Sequence, residues 1–214
     1  MRRQAGFTLV EIAIVLVIIG LLLGGVLKGQ ELIESAKVKN IGQDFRAISI
    51  AVLTYQDKYR ALPGDDSKAA TRWTGACAST GGVPGNGQIE GAWDAVASNS
   101  TGTESACAWD HLRRANLLTG DATSGAAPSN ADGGRFGITS EPTKAAVLGV
   151  GGTLIVCAGN IRGRHVIPLD AMLDDGDPAT GAMRATLANG TSPGTTALAN
   201  NIDDNQNYNV CIGF

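Results

Sequence analysis

Residues 6–27, GFTLVEIAIVLVIIGLLLGGVL, decide how this chain is read. Behind Gly6 runs an apolar stretch of about twenty residues, long enough to cross a bilayer at about 1.5 Å per residue. In front of it stands a short basic leader, residues 1–6, whose Arg2 and Arg3 hold the N-terminus on the cytoplasmic side. Inside the run sits one carboxylate, Glu11. A charge at that depth is costly, so an ionisable side chain there is a functional-site candidate by default. A secretory signal peptide does not fit, because its apolar core spans only about 7–15 residues and its cleavage site follows that core. A plain single-pass anchor accounts for the length and leaves Glu11 without a role.

The helical pattern continues past the membrane. No proline occurs between Phe7 and Leu62, and Pro63-Gly64-Asp65-Asp66 is a firm stop. Ile41, Phe45, Ile48, Val52, Tyr55 and Tyr59 recur at spacings of four and three, one apolar face of a helix. The pattern predicts a helix over 7–62, about 80 Å long. Its membrane span covers about 7–27, and its amphipathic half packs on an exported globular domain, residues 63–214. Gly20, Gly24, Gly25 and Gly29 each weaken the helix by roughly 1 kcal/mol against Ala. They permit close helix packing in a membrane or mark a segment able to melt.

The exported part is rich in glycine (29 in the whole chain) and poor in aromatics (5%), so it is expected to be loop-rich with short strands. Residues 65–103 and 121–134 read as irregular. A short helix is expected over 105–118, with Trp109, Leu112 and Leu117 or Leu118 inward and Gly120 as terminator. Strands are expected over 135–139, 153–158, 164–168 and 207–212. The fold class is α+β, a long N-terminal helix packed on a small antiparallel sheet domain with long loops. Four cysteines, Cys77, Cys107, Cys157 and Cys211, all lie beyond the membrane run. An even count in an exported domain reads as two disulfides with three open connectivities. Cys77–Cys107 with Cys157–Cys211 is the expected one, since each pair sits in its own half of the domain.

The GFTLVE motif at residues 6–11, with its leader and apolar helix, resembles the type IV pilins and the pseudopilins of type II secretion. The resemblance covers the first quarter of the chain. It implies cleavage by a prepilin peptidase between Gly6 and Phe7 and methylation of the new N-terminal Phe7. Glu11 then takes the place of the family's acidic residue. In a packed filament it would accept charge-assisted hydrogen bonds from the Phe7 ammonium of a neighbouring subunit and set the axial register. Gly20 matches a family glycine tied to local melting. Lys28 and Gly29 stand where type IV pilins often carry a proline, which leans towards the pseudopilin branch. Leu62-Pro63-Gly64-Asp65, Trp109-Asp110-His111-Leu112 and residues 174–181, DDGDPATG, resemble recurring sequence of prepilin-like proteins.

Chemistry elsewhere is sparse. Asp174, Asp175 and Asp177 cluster as hard oxygen donors suited to calcium, without the EF-hand order, and a solvated Asp/Gly/Pro turn accounts for the same residues. No CxxC pair exists, and His111 and His165 lack zinc-ligand spacing to the cysteines. Gly149-Val150-Gly151-Gly152 lacks the Lys-Ser/Thr of a P-loop. Asp110-His111 has no nucleophile elbow beside it, and His111 reads as a polar residue on a surface helix. No enzymatic activity and no cofactor is expected. The net charge of −3 (17 basic against 20 acidic) becomes −5 once Arg2 and Arg3 are lost, which argues against a general nucleic-acid surface.

The reading is a filament subunit, inserted in the inner membrane with its globular domain in the periplasm. Its partners are copies of itself, other pilins or pseudopilins, the prepilin peptidase and the inner-membrane assembly platform. Two alternatives stand beside the pilus shaft: a type II secretion pseudopilin, and a low-copy tip subunit that adheres or binds DNA.

Overall fold

The structure, a computed structural model, describes residues 8–97, 101–121, 124–147, 149–188 and 202–214. The leader and the Gly6/Phe7 junction lie outside them. The longest element is α1, Leu9–Tyr59, a helix of 51 residues. The chain divides into two compact units, residues 1–37 and 38–214.

In the first unit α1 is helical without a break through Gly20, Gly24, Gly25 and Gly29, and no neighbouring atom approaches any of the four. Every large apolar side chain from Leu9 to Leu27 is exposed, by 45 to 87%. Apolar residues on all sides of a helix signal a buried or lipid-embedded environment. Beyond them Lys28 pairs with Glu31 at 2.5 Å and Lys37 with Glu34 at 3.8 Å, both one turn apart.

In the second unit the same helix changes character. Val38, Ile41, Phe45, Ile48, Val52 and Tyr55 alternate by three and four and are buried. They share one core with the main sheet and the two longer of the later helices. α2 is Ala69–Arg72 and α3 is Glu104–Arg114. Two-residue strands β1, Ala78–Ser79, and β2, Thr101–Gly102, pair in parallel. Then come β3, Phe136–Thr139; β4, Ile155–Arg162; α4, Gly163–Leu173; β5, Met183–Leu187; and β6, Asn207–Gly213. The main sheet is antiparallel in the order β3-β4-β6-β5.

Alternation along these strands builds two apolar layers. Phe136, Ile138, Val156, Ala158, Val210, Ile212, Met183 and Ala185 join the core of α1, α3 and α4. Phe45 meets Phe136 edge-on with ring centroids 5.2 Å apart. Ile155, Cys157 and Cys211 face the other way, under Trp93 and the segment Ala145-Ala146-Val147. β4 slips register between Ala158 and Ile161, where Asn160 takes a positive φ of 59°. Asn tolerates that left-handed conformation better than most residues, which suits a bulge.

Several expectations need correction. Residues 164–168 are not a strand but the first half of α4. The run His165-Val166-Ile167 is too short to separate the two periods. His165, Val166, Leu169 and Asp170 turn inward while Pro168 stays on the exposed side. α3 stops at Arg114, and Asn116 with φ 57° turns the chain before Gly120 is reached. β5 lies at the sheet edge in Met183-Arg184-Ala185-Thr186-Leu187, where β-branched residues are too few to announce a strand. Residues 65–103, read as irregular, include the short α2, β1 and β2, and Asp65, Ile89 and Trp93 there and Asn130 in the second loop are buried.

Candidate functional site

At the start of α1, Thr8 and Glu11 clasp each other. Thr8 N–H and Thr8 Oγ1–H donate to Glu11 Oε2 at 2.8 and 2.7 Å, and Glu11 N–H donates to Thr8 Oγ1 at 3.3 Å. This is a reciprocal capping box, in which two of the four unpaired N–H groups of a helix start find partners. The carboxylate also lies at the positive end of the helix dipole. Thr8-Leu9-Val10-Glu11 carries the T-x-x-E signature of such a box. Thr8 is the functional candidate that the motif reading passed over. The amide that Glu11 holds belongs to the residue directly after Phe7 in sequence.

The two short patterns quoted from the sequence meet in the second unit and form a joint. Gly64 N–H donates to His111 Nδ1 at 2.9 Å, and His111 Nε2 lies 3.0 Å from Cys77 O. A backbone N–H can only donate, so Nδ1 is unprotonated and Nε2 carries the proton it gives to Cys77 O. His111 is therefore buried and neutral, not a polar residue on a helix surface. Burial holds its pKa below the ordinary value, against the Cys77 carbonyl and Asp110, which raise it. Beside it Asp110 Oδ2 accepts Cys77 N–H at 2.8 Å and pairs with Arg114 Nε at 2.9 Å. Asp65 receives N–H groups of Gly85, Asn86 and Gly87, and Asp66 receives Tyr55 Oη–H at 2.8 Å. These patterns fasten the loop after α1 to α3.

The structure joins Cys77 to Cys107, with Cα atoms 5.2 Å apart, and Cys157 to Cys211 at 4.0 Å. The first bridge ties the loop to α3 and the second crosses between β4 and β6. In the acidic turn, oxygens of Asp170, Asp174 and Asp175 lie within 4.8 Å of one another. Asp177 is not in that group, and its Oδ1 accepts Ala179 N–H at 3.0 Å. Burial pushes Asp170 up to about 6, with the charges of Asp175 and Asp174 adding to it and the Gly176 N–H opposing. His165 Nδ1 sits 2.7 Å from Asp132 Oδ2, a buried contact between the loop before β3 and α4.

Residues 1–27 match the family described as the prokaryotic N-terminal methylation motif, the prepilin-type signal of type IV pilins and pseudopilins. No curated protein and no solved structure matches the chain. This motif supports a precursor of pilin or pseudopilin type and implies processing by a prepilin peptidase and pilin assembly. The exposed apolar start of α1 fits membrane anchoring of such a precursor.

Proposed function

We propose that the chain is the structural subunit of a type IV pilus-like filament, polymerised from the inner membrane and without enzymatic activity. The observation that carries this reading is the pairing of the methylation motif with an apolar helix whose side chains stay exposed from Leu9 to Leu27. Such a surface needs lipid before assembly and the helices of other copies afterwards.

Cleavage between Gly6 and Phe7 turns a peptide nitrogen into an ammonium group. Among the described residues Glu11 has only neutral donors, those of Thr8 in its own chain. An ammonium on a neighbouring subunit offers a stronger, charge-assisted partner. Glu11 then exchanges Thr8 for Phe7 of the neighbour, which fixes the axial register between helices whose other contacts are non-directional. An uncut chain has no such group, so processing must precede assembly.

Mass spectrometry of the protein from the sheared extracellular fraction of its host tests this. An N-methylated Phe7 terminus there supports the surface filament. The same processed form confined to the membrane pellet favours a periplasmic pseudopilus, and an intact Met1 everywhere overturns the reading. A low-copy tip subunit is the second reading, favoured by a cleft of about 340 Å³ lined by Trp93, Asp94, Arg135, Asn160 and Asn209. Subunit counting in purified filaments separates tip from shaft.

A further inference from the structure

We propose that the cleft beside Trp93 binds a neutral saccharide, with Asp94, Arg135, Asn160 and Asn209 as its hydrogen-bonding groups. The proposal rests on the tip reading above and names the ligand class of that subunit. The cleft has a volume of about 340 Å³. Ligand pockets run from about 300 to 1,000 Å³, so this one suits a single sugar unit or a pair.

Its floor is bare backbone. Gly133 and Gly134 come from the loop before β3, and Gly159 comes from β4. A Cβ at Gly134 would collide with Gly159 O, and one at Gly159 would meet Trp93 Cη2 at 3.0 Å. The indole thus lies close against main chain, an approach that glycine permits. Buried Asn130 staples the loop in place. Its Oδ1 accepts Asp132 and Gly134 N–H at 2.9 and 3.1 Å, and its Nδ2–H donates to Gly159 O at 2.8 Å. Trp93 N–H donates to Lys144 O at 3.1 Å. Walls fixed in this way lose little freedom when a ligand enters.

The bulge in β4 places Asn160 on the rim. Register slips between Ala158 and Ile161, and Asn160 stands there at a φ of 59°. Bulges re-aim side chains and are over-represented beside functional sites. Asn207 Nδ2–H donates to Asn160 Oδ1 at 2.8 Å, and Asn160 N–H donates to Asn209 Oδ1 at 3.4 Å. Both amide oxygens are engaged, whereas among the described residues neither the Asn160 nor the Asn209 Nδ2 has a partner. Arg135 and Asp94 are exposed, and among the described residues their side chains make no ion pair.

These four groups select by chemistry. The Asp94 carboxylate only accepts, while the guanidinium and the two amide nitrogens donate. A sugar hydroxyl does both, so a ring bearing several of them satisfies the whole set. Arg135 and Asp94 have opposite charges, and the lining holds no other charged residue. An anion is repelled by Asp94 and a cation by Arg135. An apolar ligand leaves the polar groups unpaired, at a cost. The C–H face of a sugar ring suits the apolar wall that Trp93 supplies.

The test uses the full-length protein in a detergent without a sugar headgroup. The probes are free galactose, mannose and N-acetylglucosamine at about 10 mM, well above a weak Kd of about 1 mM. At least one is expected to give saturation-transfer NMR signals and a saturable calorimetric titration. Arg135→Ala should weaken that binding about tenfold and Asn160→Gly about fivefold, the scale of lost hydrogen bonds. Glycine accepts the φ of Asn160, so the second variant keeps the bulge. Lys58→Ala, outside the lining, should bind as the wild type does. Glucuronate should bind more weakly than the neutral sugars. Silence from all three sugars, tighter binding of glucuronate, or wild-type affinity in both cleft variants overturns the proposal. Subunit counting stays separate, because a high copy number overturns the tip reading and leaves a measured sugar site standing. Retention of filaments on sugar-coupled beads identifies an immobilised glycan as the source, and binding of free sugar alone identifies a soluble one.

Discussion

Residues 9–27 of α1 carry apolar side chains on most faces and keep them exposed, whereas residues 38–59 bury one apolar stripe and leave Ile50 and Leu53 exposed beside it. Backbone hydrogen bonding runs unbroken through both. In the lower half the helix gains little from its own chain, so its environment must be supplied by lipid or by other subunits. In the upper half tertiary packing supplies it, through Phe45 on Phe136 and Tyr55 on Asp66. One helix thus presents an exposed apolar surface over residues 9–27 and part of a domain core over residues 38–59. Substitutions in the two halves should fail in different assays.

The largest expected effect is on assembly. Glu11→Ala should abolish filament yield while membrane insertion and domain stability stay unchanged, as read by shearing and membrane fractionation. Normal yield would mean that Glu11 does not set the register. In the upper half Phe45→Ala should cost about 3–5 kcal/mol in denaturant unfolding, since its side chain is wholly buried. Leu16→Ala in the lower half should change that value by less than about 0.5 kcal/mol. Equal losses would erase the contrast between the halves.

Removing the Cys157–Cys211 bridge by a double Ser substitution reopens a span of 54 residues and should cost about 4 kcal/mol in the chain-entropy model. Because the bridge belongs to the upper unit, insertion should be untouched. His111→Phe leaves the Gly64 N–H and the Cys77 carbonyl unpaired and should cost about 2 kcal/mol or more. It also removes a pH dependence. His111 has a depressed pKa in the folded state, so its contribution is present above the unfolded value of about 6.5 and is lost as pH falls below it. Denaturant midpoints from pH 7 to 5 should fall more steeply for the wild type than for the variant. Burial raises the pKa of Glu104, which works in the opposite direction, so the wild-type and variant slopes must be compared rather than read alone. The smallest effect belongs to Thr8→Val, which breaks the capping box and should fray the first turn by about 1 kcal/mol, seen as faster amide exchange at residues 9–12.

The acidic turn shows why some of the site stayed hidden. Asp170 and Asp174 are four residues apart, one turn of a helix, and share a face only if residues 163–173 are helical. The His111 joint was hidden differently. Leu62-Pro63-Gly64-Asp65 and Trp109-Asp110-His111-Leu112 were both visible as patterns, but 47 residues separate the hydrogen-bonded Gly64 and His111. Nothing local announces such a contact. The capping box at Thr8 was legible, being local, and needed only the right template.

The sequence by itself determined what short-range pattern can encode. The span of α1, its apolar lower half with a lone Glu11, its buried upper stripe, the stop at Pro63-Gly64 and three of the four main strands all follow from hydropathy period, proline and glycine. Only the tertiary structure decided that residues 163–173 are helical, that β5 closes the sheet edge beside β6, that His111 is buried and neutral, and which cysteines and carboxylates meet. Those outcomes depend on partners distant in the chain, and a side chain's burial, protonation and pairing are properties of its neighbours in space.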